Sequence, residues 1–159
     1  MIHITEATTP AAIETARRLF TAYAAGLPVS LDFQGFDAEL AGLPGKYAPP
    51  GGIILLAFAG GQPAGCVAVR ALEPTGICEM KRLHVLPEYR KFHFGRSLAQ
   101  AAIAWGRSTG YRAMRLDTLP AMTTAIALYE NLGFHDIAPY CANPHPGTRF
   151  MELALNHGR

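Results

Sequence analysis

Long apolar runs are missing from this sequence of 159 residues. The longest, Ile53 to Ala59, falls far short of the roughly 20 residues needed to span a bilayer. The first residues, Met1-Ile2-His3-Ile4-Thr5-Glu6, lack the basic-then-apolar order of a secretory leader. Cysteine is scarce. Cys66, Cys78 and Cys141 make an odd number at wide spacings, with no CxxC and no zinc-ligand spacing. No metal site is expected, and a reduced intracellular chain is the simplest reading. Net charge is small, +2 from 14 Lys+Arg against 12 Asp+Glu, which speaks against a nucleic-acid binder. The 16 glycines and 12 prolines show no Gly-X-Y period, and there are no internal repeats. What is present, 50% hydrophobic and 16% charged residues, fits a folded protein and excludes a disordered one. The expectation is a soluble, cytoplasmic protein with one domain over residues 1–159, its polar last residues 156–159 frayed.

Periodicity supplies the elements. Residues 1–5 alternate and read as a strand. Thr8 or Thr9 can cap a helix with Pro10 in its first turn. Ile13, Ala16, Leu19, Phe20 and Tyr23 follow at helical spacing, and Gly26 with Pro28 stops it. A short second helix is expected within 35–45. Ile53–Ala59 and Gly65–Leu72 read as a hairpin around Gly60-Gly61-Gln62-Pro63, and Ile77–Leu86 as a longer strand ended by Pro87. A helix over 95–109, a strand over 112–118, a helix over 123–132 closed by Gly133, and strands over 134–138 and 149–155 complete the order. This reads as a mixed α/β (α+β) fold, one twisted mixed sheet of about seven strands with helices on both faces. The strand–helix–strand unit over 77–118 is expected to make two parallel neighbours joined by a right-handed crossover.

Five of the 14 cations, Lys81, Arg82, Arg90, Lys91 and Arg96, crowd the join between the Ile77–Leu86 strand and the helix over 95–109. Glu88 is the only acid among them. Such a cluster is ordinarily a solvated face. Here it sits where a strand feeds a helix N-terminus, whose free N–H groups and positive dipole end favour phosphate. Gly95 allows close backbone approach.

The residues at this join resemble a known family. Arg82-Leu83-His84-Val85-Leu86-Pro87-Glu88-Tyr89-Arg90, followed by His93-Phe94-Gly95-Arg96-Ser97-Leu98, is similar to the Gln/Arg-x-x-Gly-x-Gly/Ala motif of the GNAT superfamily of N-acetyltransferases. Ala125-Ile126-Ala127-Leu128-Tyr129-Glu130-Asn131-Leu132-Gly133-Phe134 resembles that family's Ala-x-x-Leu-Tyr-x-x-x-Gly-Phe segment. The element order fits along nearly the whole chain, in outline only over the first 75 residues. The chain departs from the pattern in two places, at three residues. His93 stands where the first motif Gly is usual, with Lys91 at another common Gly, and Met122 stands where many members carry a cofactor-binding Asn.

The resemblance implies acetyl-CoA as cosubstrate. It places the pyrophosphate on Arg90, Lys91, Phe92, His93, Phe94, Gly95, Arg96 and Ser97, within a cationic patch running from Lys81 to Arg96. Main-chain groups of Leu83, His84 and Val85 would hold the pantetheine arm and acetyl carbonyl. The strands over 77–86 and 112–118 would splay into a V around the thioester.

Acetyl transfer to an amine needs a neutral amine, donors for a developing oxyanion, and a proton for the departing thiolate. By resemblance Tyr129 supplies that proton, and a phenol with its ordinary pKa of about 10 is protonated at pH 7. The plain alternative is a core aromatic. Glu79, between Cys78 and Met80, is a candidate general base, directly or through water. Its plain alternative is an ion pair with Arg70 or Arg115 on a neighbouring strand. His84 is more simply a structural strand histidine. His135 and His145 could line an acceptor pocket with Tyr140 or merely cap the 139–147 loop. Cys141 has no partner that marks it as a nucleophile.

The implied function is acetyl transfer to a primary amine of a small molecule or peptide, with no nucleic-acid or membrane partner. A homodimer is common in the family. A catalytically silent acyl-CoA-binding sensor is the second reading, motivated by the His93 and Met122 departures. Asp32, Asp37 and Glu39 suggest an acidic rim that would attract a cationic amine.

Overall fold

The computed structural model describes residues 2–155, so the frayed tail expected at 156–159 lies outside the described residues. β1 (Ile2–Glu6) leads into α1 (Pro10–Ala25), where the Thr9 hydroxyl accepts from the Ala12 N–H at 3.1 Å. That cap satisfies one of the free donors of the first turn, and Pro10 fits there because it has none to lose. The short second helix, α2 (Phe36–Ala41), lies between 3₁₀ turns at Asp32–Gln34 and Gly45–Tyr47. Three strands follow, β2 (Ile53–Ala59), β3 (Gln62–Leu72) and β4 (Ile77–Val85). A 3₁₀ turn, Pro87–Phe92, delivers the chain to α3 (Phe94–Thr109). β5 (Ala113–Thr118), α4 (Thr123–Asn131), β6 (His135–Ile137) and β7 (Arg149–Ala154) complete the order.

The seven strands form one sheet in the order β1-β2-β3-β4-β5-β7-β6. Every neighbouring pair is antiparallel except β4 and β5, as the strand–helix–strand unit requires. β3 starts three residues earlier than its sequence suggests. Gly60 and Gly61, at φ 57° and 81°, make the whole turn, which is the left-handed pair a two-residue hairpin needs.

β2 is apolar throughout because both of its faces are covered. Ile53, Leu55 and Ala57 pack with Leu98 and Ala102 of α3, while Ile54 and Leu56 pack with Leu19 and Phe20 of α1. Such a strand cannot show the alternation of a half-solvated one. No helix among the described residues is long and apolar enough to cross a membrane.

The parallel pair is short. Ile77, Cys78 and Glu79 face Ala113, Met114 and Arg115, and no pairing continues beyond them. The ends of β4 and β5 therefore diverge, and the sheet opens at its centre.

Candidate active site

A bulge bends β4 where it leaves β5. Cys66 of β3 faces His84 and Ala68 faces Lys81, so Arg82 and Leu83 together oppose the single residue Val67. Arg82 sits in left-handed backbone at φ 63°, unusual for a residue with a side chain. Its guanidinium, 3% exposed, makes two bonds to the Glu39 carboxylate of α2, 2.9 Å from Nε and 2.8 Å from Nη2. The rings of Tyr23 and Phe36 lie 5.9 and 5.1 Å from it. A buried charge requires such pairing, and here it also ties α2 to the bulge. On the β3 side the backbones come close. A Cβ on Gly65 would stand 2.6 Å from the His84 carbonyl, so only glycine fits.

Past the bulge, the Leu86 N–H donates to the Ala64 carbonyl at 2.8 Å. Strand alternation turns the Val85 N–H and carbonyl the other way, towards the opening. Arg90 Nε donates to that carbonyl at 2.8 Å. His84 packs edge-on against Tyr23, and burial with the nearby Arg90 cation pulls its pKa down to about 4. It is a neutral, packed imidazole.

His93 is left-handed at φ 61° and immediately precedes α3. Positive φ is thus required at the position where the motif glycine is usual. The backbone N–H groups of Phe94, Gly95 and Arg96 lie in the first turn, before the ladder begins with Ser97 donating to the His93 carbonyl. Lys91 lies over the Phe92 ring, and Arg96 is held by Asn131. Free amides at a helix start, flanked by cations, are a donor set that suits a pyrophosphate. Lys81 and Arg82 do not join this set, contrary to the single patch the sequence suggests. Both face the cavities at the sheet opening instead, because the bulge separates them from the helix start.

Two cavities meet at the opening. One lies between the splayed strands, lined by Leu83, Leu116, Asp117, Met122 and Tyr129 among others. The other, of about 460 Å³, lies under α2 and the 139–147 loop. Lys81, Arg82, Asp117, Phe33 and Gln34 line both. Tyr129 is buried, and burial pushes its phenol above the ordinary value.

Glu79, 2% exposed, lines the larger cavity with both oxygens engaged. Oε1 accepts from Arg70 Nε at 2.9 Å, and Oε2 accepts from the Tyr140 hydroxyl at 2.6 Å. The pairing with Arg70 set beside its base role is therefore present, while Arg115 pairs with Glu152 instead. Lys81 Nζ lies 3.0 Å from Gln34 Oε1 and 3.9 Å from Glu79 Oε1. Among the described residues Asp117 accepts only from the Asn143 amide, at 3.4 Å.

His145 stacks edge-on against Phe33 and lines neither cavity, and His135 is exposed on β6. Asp32 and Asp37 are also exposed and line neither cavity. Glu39 is committed to Arg82. Sequence reasoning missed Asp117 altogether. A single acid on an alternating strand carries no motif, and only the splay of β5 brings it to the junction.

The Acetyltransferase (GNAT) family pattern matches residues 15–134 of this chain. The chain belongs to the GNAT acetyltransferase family. It is 38% identical over 98% of its length to an uncharacterized N-acetyltransferase of Schizosaccharomyces pombe, covering 96% of that protein. It is similar to a Klebsiella pneumoniae structure described as an acyl-CoA N-acyltransferase, with 30% identity, TM-score 0.74, and coverage of 98% and 99% of the two chains. A Salmonella typhimurium protein solved with its cofactor acetyl-CoA shares the fold at TM-score 0.70 and 18% identity, over 99% and 96% of the chains. This GNAT chain is thus an acyltransferase, and acyl-CoA is the family's donor.

Proposed function

We propose that this acetyltransferase moves an acetyl group from acetyl-CoA directly to a primary amine of a small molecule or peptide. The junction of the two cavities carries the proposal: it joins the gap between β4 and β5 to a second cavity, edged by charged side chains and large enough for an amine. When bound, the thioester supplies an activated acetyl carbon and a thiolate leaving group. The amides of Phe94, Gly95 and Arg96, with Arg90, Lys91, Phe92, His93 and Ser97 around them, hold the pyrophosphate. Leu83, His84 and Val85 position the pantetheine arm through main chain, and the Val85 N–H faces the acetyl oxygen.

Tyr129 gives its proton to the departing sulfur. Burial raises the phenol pKa and so keeps the group protonated at every physiological pH. Asp117, with the freest carboxylate at the junction, receives the proton of the incoming ammonium. We assign this step to Asp117 rather than Glu79, because Glu79 already holds Arg70 and Tyr140 in place.

Release of CoA thiol from acetyl-CoA is measured with a panel of primary amines. Amine-dependent release is expected, and Tyr129→Phe lowers kcat by about 10²–10⁴-fold while leaving acetyl-CoA affinity unchanged. Full activity in the Tyr129→Phe protein removes Tyr129 from the mechanism. Tight acetyl-CoA binding with no amine acetylated would instead favour a silent acyl-CoA sensor.

A further inference from the structure

We propose that the acceptor is an amine carrying its own carboxylate, with Lys81 and Arg70 gripping the carboxylate while the amino group lies against Asp117. The inference deepens, and rests on, the acetyltransferase reading above. Its basis is the charge left unmatched in the larger cavity. The cations lining that cavity are Lys46, Arg70, Lys81 and Arg82, and the carboxylates are Glu39, Glu79 and Asp117. Glu39 and Arg82 satisfy each other through two bonds. Glu79 spends one oxygen on Arg70 and the other on Tyr140.

Lys81 remains. Its side chain is only 11% exposed, and its one hydrogen-bond partner among the described residues, Gln34, is neutral. The Glu79 oxygen, at 3.9 Å, already accepts from Arg70. A buried ammonium with no carboxylate of its own is costly, and an anionic ligand group removes that cost. Burial accordingly pulls the Lys81 pKa down in spite of the Glu79 and Asp117 carboxylates nearby. Arg70 stands beside it on β3, its Nη groups not spent on Glu79, and Lys46 adds a further cation to the lining.

On the other side of the junction Asp117 has the opposite surplus, with a single long bond from a neutral amide. Lys81 and Asp117 stand on β4 and β5, whose backbones part beyond Glu79 and Arg115, and Asp117 lies in the field of Lys81 without forming an ion pair with it. A zwitterion with a few bonds between ammonium and carboxylate complements both. A diamine does not, since its second cation would meet Lys81 and Arg70.

The test compares matched triples of primary amines that differ only at the far end. One such triple is β-alanine, its amide and diaminopropane, with equivalent sets built on longer amino acids and dipeptides. The carboxylated member of at least one triple should show kcat/KM about tenfold or more above its amide, and the diamine the lowest value. Lys81→Met should collapse that ratio towards one through KM, and Lys81→Arg should keep it. The comparison in the unaltered protein stands alone should either variant fold poorly. Equal kcat/KM across every triple, or a preference for diamines, overturns this inference and leaves the acetyltransferase reading intact. Acetyl-CoA binding with no amine acetylated at all sinks the acetyltransferase reading and this inference with it.

Discussion

Arg82 and His84 show how two residues on one strand take opposite solutions to burial. Arg82 keeps its charge and recruits Glu39, whereas His84 gives its charge up. The His84 behaviour predicts a pH dependence. Its folded pKa, about 4, lies below the ordinary 6.5, so the unfolded chain binds the extra proton between those values. The stability from keeping His84 neutral is full above about pH 6.5 and is lost as pH falls towards 4. Stability therefore falls between pH 7 and pH 5, by less than the full pKa difference implies because solvent reaches part of the imidazole. Urea unfolding at the two pH values measures it, and His84→Phe, which keeps an aromatic against Tyr23, should flatten the difference. An unchanged pH dependence in that variant would place the titrating group elsewhere.

At the scale of elements, the ion pair from α2 to the β4 bulge decides how firmly the acceptor-side cover is attached. Removing Glu39 leaves a buried, uncompensated guanidinium in left-handed backbone. Glu39→Ala should lower unfolding free energy by about 3 kcal/mol, seen as a shifted urea midpoint with an unchanged slope. Asp37→Ala, on the exposed side of the same helix, should change it by less than about 0.5 kcal/mol. Equal effects would deny Glu39 its anchoring role.

Most elements were legible because they are locally encoded. Thr9 and Pro10 mark the start of α1, Gly110 and Gly133 mark the ends of α3 and α4, and Ile53–Ala59 is a strand residue for residue. The loop before α3 and the Tyr129 segment were also visible as motifs. The contacts that shape the acceptor side were not. Arg82 meets Glu39 across 43 residues and Tyr140 meets Glu79 across 61, and no spacing rule reaches so far. Nor does an arginine announce positive φ in the way that glycine or asparagine does. His93 is the intermediate case: the motif marks the position, and only the backbone reveals that it is left-handed.

For the whole molecule, function follows from one break in an otherwise continuous sheet. Three residue pairs join β4 to β5, and then the strands part. The helix start proposed for the pyrophosphate lies beyond the end of β4, and the cavity proposed for the amine lies under the bulge on its other side. On the proposed reading both substrates occupy the protein together, which is what direct transfer demands. Cys141 provides the competing route, because it is exposed and lines the amine cavity, where an acetylated thiol could carry the group in two steps. Partial desolvation of the thiol, with the Asp117 and Glu79 carboxylates nearby, raises its pKa, which leaves little thiolate for attack at neutral pH. Initial rates with acetyl-CoA varied at several fixed amine concentrations separate the two routes. Direct transfer predicts reciprocal plots that intersect, and an intact mass unchanged after incubation with acetyl-CoA alone. Parallel plots, together with an acetyl group retained on Cys141, would contradict it.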